Sequence, residues 1–385
     1  LFFDGAEKLQ FLCSRGAAAL VVFAALKLAQ RFDVLCALRV ALALAHITAG
    51  SGSGDTGKAA LDGYHDIPGV EIAVFFPTGG TSEIQRLQMV TQTGSNVAVS
   101  AVRGNFDDAQ TGVKQIFGDK AFADALSQRG WFLSSANSIN WGRLLPQIVY
   151  YFSAYCDAVN GGMIAMGDKL NFVVPTGNFG DILAGWYAKQ MGLPAGKLVC
   201  ASNANNVLTD FIHTGTYDKN RPFHTTASPS MDILVSSNLE RLLYALCGSD
   251  TEVAGYMQQL REQGRYTVSD ALLAKIRETF AGGCCNDIQT REKIGRAWRD
   301  HRYLIDTHTA VAWDVAQQYK QANPEHNAVV VLSTASPYKF PAAVLEGIGE
   351  KAEGDEFDVM EQLHKVTGVP VPKNLADLRS RAVRH

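Results

Sequence analysis

The feature of this sequence that most narrows its fold is a series of short apolar runs, each closed by a turn and followed by a helical stretch. Residues 71–76 (EIAVFF) read as a buried strand stopped by Pro77, and 96–102 (NVAVSAV) as another that turns at Gly104. Residues 171–175 (NFVVP) run into a Gly-rich turn, and 327–332 (NAVVVL) into Ser333-Thr334-Ala335-Ser336-Pro337. The stretches between are helical in period. Residues 81–92 set Ile84, Leu87 and Val90 on one face, 143–159 carry a wide apolar face, and 181–191 end at Gly192 and Pro194. Strand-then-helix alternation of this kind predicts an α/β protein whose parallel strands are joined by crossover helices. Residues 260–287 are more polar and read as an exposed helical excursion. Residues 1–45 differ, being rich in Ala and Leu with few turn signals. Within them, 16–26 resemble the apolar core of a signal peptide. That run is too short to span a bilayer and is followed closely by Lys27, Arg31, Asp33 and Arg39, so a buried helix is expected.

A chain of 385 residues, at about 150 per domain, predicts two or three domains, and 47% hydrophobic residues suffice for a substantial core. Charged residues are 19% and the net charge is -3, so no basic field points to nucleic acid and nothing points to a membrane surface. The seven cysteines (Cys13, Cys36, Cys156, Cys200, Cys247, Cys284 and Cys285) are odd in number and scattered, with no CxxC pair. Neither a disulfide framework nor a metal site is indicated. Small buried thiols in a reducing, cytoplasmic setting are expected.

Two turns carry the chemistry. Gly52-Ser53-Gly54-Asp55-Thr56-Gly57-Lys58 matches the GxGxxG spacing of dinucleotide sites and comes close to a P-loop. Ala59 stands where a P-loop needs a magnesium-binding hydroxyl. The next apolar run ends Phe75-Phe76-Pro77-Thr78, without the acid a dinucleotide site requires. What remains is a strand-to-helix turn with backbone N–H groups suited to an anion, or a tight turn that binds nothing. The second turn, Pro175-Thr176-Gly177-Asn178-Phe179-Gly180-Asp181, has the same design: glycines permit close approach and a helix dipole favours negative charge.

These segments and several others resemble blocks of the threonine synthase family. They are residues 53–60, Gly104-Asn105-Phe106-Asp107-Asp108-Ala109-Gln110, residues 134–140 followed by Arg143, residues 174–180, Ser230-Met231-Asp232-Ile233, and residues 333–340. Occurring in order over about residues 50 to 380, they are together far more specific than any one motif. The resemblance implies an α/β, fold type II pyridoxal-phosphate enzyme of the tryptophan synthase β kind. Such an enzyme has two domains with mainly parallel sheets and the cofactor, pyridoxal 5'-phosphate, in the interdomain cleft. A small domain of 46–140 and a large domain of 141–385 with 1–45 follow. The implied reaction converts O-phosphohomoserine and water to threonine and phosphate, by γ-elimination and β-addition of water. Gly177, Asn178, Phe179 and Gly180 would hold the cofactor phosphate through backbone N–H groups, and Thr334 would meet the pyridine nitrogen. Ser53, Asp55 and Thr56 would receive the substrate α-carboxylate. Asn137, Ser138, Asn140 and Arg143 would bind its phosphate, Arg143 as a planar donor fork. A monomer or homodimer is expected.

The chain departs from the family at the lysine. The family carries it in a segment resembling H-G-P-T-x-A-F-K-D, shortly before the SGDTG loop, and no such segment is present. Residues 23–28 (FAALKL) offer Lys27, which lies 26 residues before Ser53 in an apolar setting that favours a neutral amine. Lys27 is the candidate for the catalytic, Schiff-base-forming lysine, against the plainer reading of a helix-rim lysine reaching solvent. The 45 residues before the first turn are fewer than the family's usual N-terminal region, which implies a truncated or altered N-terminus. Other readings are a fold type II threonine dehydratase or phospholyase, an inactive metabolite-binding relative, and a nucleotide-binding oxidoreductase. His308, in Asp306-Thr307-His308-Thr309-Ala310, also matches a family block and is expected to pack.

Overall fold

The computed structural model describes residues 45–51, 54–78, 82–104, 106–135, 140–325 and 328–383. These fall into two compact units, one of residues 144–350 and one of residues 45–143 with 351–383. The expected helix at 16–26 lies outside the described residues.

The smaller unit is built on β1 (Ala45–Ser51), α1 (Gly54–Tyr64), β2 (Val70–Pro77), α2 (Glu83–Val90), β3 (Val97–Val102), α3 (Phe106–Gly118), α4 (Lys120–Ser127) and β4 (Trp131–Ser135). All strand pairs are parallel, in the order β3-β2-β1-β4. Ile72, Val74 and Phe76 alternate onto the buried face of β2 and pack with Ala60, Leu61, Met89 and Val97. Gly57 lets α1 lie close to this sheet. A Cβ there would stand 3.0 Å from Met89 Sδ and 3.1 Å from Val74 Cγ1. The last glycine of the GxGxxG spacing is therefore a packing residue. Lys58 is also engaged locally, its ammonium donating to Asp62 and Gln92, which accounts for the P-loop likeness without a phosphate.

The C-terminal segment packs in this unit, whereas the sequence reading groups it with the larger one. The reason is a pair of hydrogen bonds remote in sequence. The Glu356 carboxylate, at the start of the helix Glu356–Thr367, accepts from the backbone N–H groups of Glu83 (3.1 Å) and Ile84 (3.0 Å). It satisfies two donors that the first turn of α2 leaves without helical partners and complements the helix dipole. Arg379 then pairs with Asp355 at 2.7 Å.

The larger unit opens with α5 (Trp141–Asn160), β5 (Leu170–Pro175), α6 (Gly180–Gln190), β6 (Ala195–Ser202), α7 (Val207–Thr214) and β7 (Thr216–Asp218). It continues with α8 (Leu239–Cys247), α9 (Asp250–Gln263), β8 (Arg265–Thr267), α10 (Asp270–Thr279), β9 (Phe280–Cys284), α11 (Asp287–His301), α12 (Thr307–Ala322) and β10 (Val329–Val331). Its main sheet is parallel, in the order β10-β5-β6-β9. Residues 170–174 of the central β5 are buried without alternation, as a parallel strand covered on both faces requires. α12 packs beneath it, with Val311, Ala312 and Val315 against Val173, Val199 and Ala201.

Residues 260–287 are not the exposed helical excursion expected. They hold β8, α10 and β9, an edge strand of the main sheet, with Leu272, Ile276 and Phe280 buried. The sequence of β9, FAGGC, hides this because its glycines carry no strand propensity. They serve close packing instead. A Cβ at Gly282 would lie 3.1 Å from Thr209 Cα, and one at Gly283 would lie 2.8 Å from Val315 Cγ1. Cys200, Cys247, Cys284 and Cys285 are free thiols. No helix among the described residues is long and apolar enough to cross a membrane.

Candidate active site

Ligands of open α/β sheets gather beyond the carboxyl ends of the strands, where the strand order reverses. In the larger sheet that point lies between β5 and β10, because the chain runs outward from β5 through β6 on one side and returns as β10 on the other. β5 ends at Pro175 and leads into the turn 176–180. β10 runs beside it, Val331 opposite Val173, and leads into the loop that carries Thr334. Thr334 is exposed there, and the neighbouring Ser333 hydroxyl is hydrogen-bonded to Thr309 Oγ1 at 3.0 Å. Sheet order thus brings Thr334 to the same edge as Gly177, Asn178, Phe179 and Gly180.

The turn after β5 is held in an unusual shape. Phe179, the residue before α6, adopts φ 62°, ψ 4°, a left-handed conformation that costs a bulky residue about 1–3 kcal/mol. Its ring offsets that cost by being 1% exposed, with its centroid 5.5 Å from that of Phe280. No side chain caps α6 from this position. The first-turn N–H groups, at the positive end of the helix dipole, are left for an anion without a lysine. Asp181, also in that first turn, is turned to Tyr151, whose hydroxyl lies 2.8 Å from Asp181 O and 3.1 Å from Oδ1. Burial pushes the Asp181 carboxyl up to about 6, while the Tyr151 hydrogen bond pulls the other way. Burial, then the Asp181 charge, holds Tyr151 well above the usual phenol range.

Two segments brace this cup through its backbone. A Cβ at Gly177 would meet Ser230 O at 3.1 Å and Met231 Cα at 3.2 Å, so only glycine lets the 229–231 turn lie against it. On the next residue, the fully buried Asn238 donates from Nδ2 to Asn178 O at 2.9 Å. The turn at 229–231 is fixed by the Asp232 carboxylate, which accepts from Asn203 (2.8 Å), Asn205 (3.0 Å) and Thr226 Oγ1 (2.7 Å). Asn238 and the bracing role of Ser230-Met231 were not anticipated. The only local signal at Asn238 is an Asn before a helix, which reads as an ordinary cap.

In the smaller unit the order reverses between β1 and β4, which run side by side with Ala49 opposite Ser135. The loop after β1 leads into α1, whose first turn contains Asp55 and Thr56. The loop after β4 leads to Asn140 and Arg143. Two of the family-like blocks therefore leave adjacent strands at one edge. Asn140 bonds locally: Nδ2 donates to Ser135 O at 2.8 Å, and Oδ1 accepts the Gly142 N–H at 2.8 Å, capping α5. Arg143 is half-buried in the first turn of α5. Lys27, Ser53, Asn137 and Ser138 lie outside the described residues, as do the side chains of Asp55 and Thr56. Among the described residues no group of His, Cys, Asp or Glu is placed to hold a metal ion.

Comparison with known proteins agrees with these features. Residues 309–384 match the family model described as threonine synthase, C-terminal. Threonine synthase of Pseudomonas aeruginosa is 39% identical over 340 residues, covering 87% of this chain and 69% of that protein. The chain belongs to the threonine synthase family. Threonine synthase-like 1 of Homo sapiens is 41% identical over 304 residues, covering 77% of this chain and 40% of that relative. The chain thus spans about two fifths of the length of the threonine synthase-like relatives it matches. Among solved structures, a threonine synthase from Brucella melitensis superimposes with a TM-score of 0.74 at 39% identity, over 88% of this chain and 66% of that one. The fold is the α/β, fold type II architecture that the sequence motifs of the threonine synthase family implied.

Proposed function

We propose that this chain acts as a threonine synthase, binding pyridoxal 5'-phosphate and converting O-phosphohomoserine and water to threonine and phosphate. The observation that carries the reading is the uncapped, backbone-lined cup at Gly177–Gly180, braced at Gly177 and Asn178 and set at the reversal point of a parallel sheet. A phosphate monoester fits such a cup, since backbone N–H groups and the helix end supply both its hydrogen bonds and its counter-charge. The B. melitensis relative is described as PLP-bound, which supports the same assignment.

Gly177, Asn178, Phe179 and Gly180 would hold the cofactor phosphate, and Thr334 would present a neutral hydroxyl to the ring nitrogen. When bound, the cofactor supplies an electron sink for charge developing at the substrate Cα. Ser53, Asp55 and Thr56 orient the substrate carboxylate. Asn137, Ser138, Asn140 and Arg143 hold its phosphate, so that the Cγ–O bond is directed for departure. The Lys27 amine takes the proton from Cα and returns protons as water adds at Cβ. A second reading is a phospholyase, releasing phosphate from the same class of phosphorylated amino acid without adding water at Cβ.

The test compares phosphate and threonine release from O-phosphohomoserine. Borohydride reduction and peptide mapping of the labelled lysine accompany it. Threonine formed in step with phosphate, and label on Lys27, are the expected results. Phosphate released together with ammonia and a keto acid selects the second reading. No label and no turnover in the presence of added cofactor would refute both.

A further inference from the structure

We propose that His308 is a positioning residue for the cofactor phosphate, fixing the 229–231 turn against Gly177 so that the cup keeps its width. The role rests on the assignment of that cup to the phosphate of pyridoxal 5'-phosphate.

His308 lies in the first turn of α12 and is 2% exposed. Its Nε2 accepts the Ser230 backbone N–H at 3.1 Å. A backbone N–H only donates, so Nε2 is the accepting nitrogen and Nδ1 carries the proton. That proton faces Asp306 Oδ1 at 3.1 Å. Asp306 is itself 0% exposed and caps α12, accepting from the N–H groups of His308 (2.8 Å) and Thr309 (3.3 Å) and from the Thr309 hydroxyl. The carboxylate therefore sets the tautomer, and the tautomer leaves an acceptor aimed at Ser230.

What Ser230 touches gives this its meaning. Its own carbonyl oxygen, with Met231 Cα, forms the surface against which Gly177 packs. Met231 anchors the turn apolarly, 3% exposed among Val173, Val199 and Val311, and Asp232 anchors its far side through Asn203 and Asn205. His308 supplies a further anchor, on the N–H of the residue whose carbonyl meets the cup. A histidine present only to fill space, its ring centroid 4.9 Å from that of Phe340, would have no use for a fixed tautomer or an aimed acceptor.

Two substitutions separate the roles. His308→Gln can place a carboxamide oxygen where Nε2 accepts from Ser230. His308→Asn keeps a donor for Asp306 but ends too short to reach Ser230. The full chain, freed of cofactor, is titrated with pyridoxal 5'-phosphate and with pyridoxal, and folding of each variant is checked by circular dichroism. Loss of the acceptor of the half-buried Ser230 N–H predicts about tenfold weaker binding of the phosphorylated form by His308→Asn. His308→Gln should stay within about threefold, and affinity for pyridoxal should change less than about twofold in both variants. Equal losses for pyridoxal and its phosphate, equal impairment by Gln and Asn, unchanged binding in His308→Asn, or failure of both variants to fold would overturn the proposal in favour of packing. Wild-type chain that prefers pyridoxal 5'-phosphate no more than pyridoxal would remove the cup assignment itself, and the role of His308 with it.

Discussion

Gly185→Ala should destabilise the larger unit, and the cost should vanish when Tyr151 is removed. Gly185 lies within α6, where a Cβ would stand 2.6 Å from Tyr151 Cε1, 2.8 Å from Tyr151 Cζ and 3.1 Å from Leu198 Cδ2. Carbon atoms pack at about 3.5–4.0 Å, so the ring must retreat by about 1 Å. It has little room to do so. Tyr151 is 1% exposed, meets Phe172 edge-on at 5.0 Å, and is tethered by its hydroxyl to Asp181. Overpacking of a closed site costs about 1–3 kcal/mol, and loosening the hydroxyl hydrogen bond about 1 kcal/mol more. The better helix propensity of alanine returns about 1 kcal/mol. The net expectation is a loss of about 2 kcal/mol, read from urea unfolding followed by circular dichroism. In a Tyr151→Ala background the ring obstruction is gone and only the flexible Leu198 Cδ2 must give slightly, so the same substitution should be neutral or stabilising by up to about 1 kcal/mol. An equal cost in both backgrounds, or none in the wild type, would refute the packing argument for α6.

Other consequences can be checked separately. Burial raises the folded pKa of Asp181 to about 6, above its ordinary value of 3.8, so the folded state binds this proton more readily than the unfolded chain. Stability from this group should therefore rise as pH falls from about 7 through 6 toward 4, by at most about 3 kcal/mol. Unfolding at pH 5 and pH 8 should show that Asp181→Asn removes the difference. Asn238→Ala leaves Asn178 O without its buried donor, and should weaken pyridoxal 5'-phosphate binding about tenfold in a cofactor titration. Gly177→Ala presses a methyl onto the backbone at Ser230 and Met231, and should weaken that binding by at least as much. Gly63→Ala in α1, where a Cβ meets nothing within 4 Å, should instead raise the unfolding midpoint, with a gain of up to about 1 kcal/mol.

The strands read most easily were those with clear apolar runs: burial on both faces leaves β5 continuously apolar, while in β2 Ile72, Val74 and Phe76 alternate onto one buried face. β9 was not legible, since Gly282 and Gly283 answer to helices above and below the sheet rather than to the strand itself. The grouping of residues 351–383 was hidden for a related reason. Glu356 reaches α2 across some 270 positions of sequence, and no local pattern reports a tertiary cap. The cup was visible through its glycines, but its decisive distortion sits at Phe179, a residue type that suggests no left-handed turn. Asn140 was named only through the family resemblance, as a phosphate ligand, and its contacts with Ser135 and Gly142 are those of a cap. Asn238 and His308 act on backbone atoms of segments distant in sequence, so spacing alone could not have paired them with the cup.

Main-chain recognition has an evolutionary consequence. The contacts that shape the cup fall on Gly177 Cα, Asn178 O and the Ser230 N–H, atoms that a change of side chain at Asn178 or Ser230 leaves in place. On the proposed assignment of the cup, those two positions are free to change while the anion site persists, whereas Gly177 and the remote braces Asn238 and His308 are not. Selection on such a site is displaced away from the residues lining it. A search for clustered basic residues in this acidic chain would pass over it, and variation that retunes specificity can accumulate at the rim without disturbing the floor.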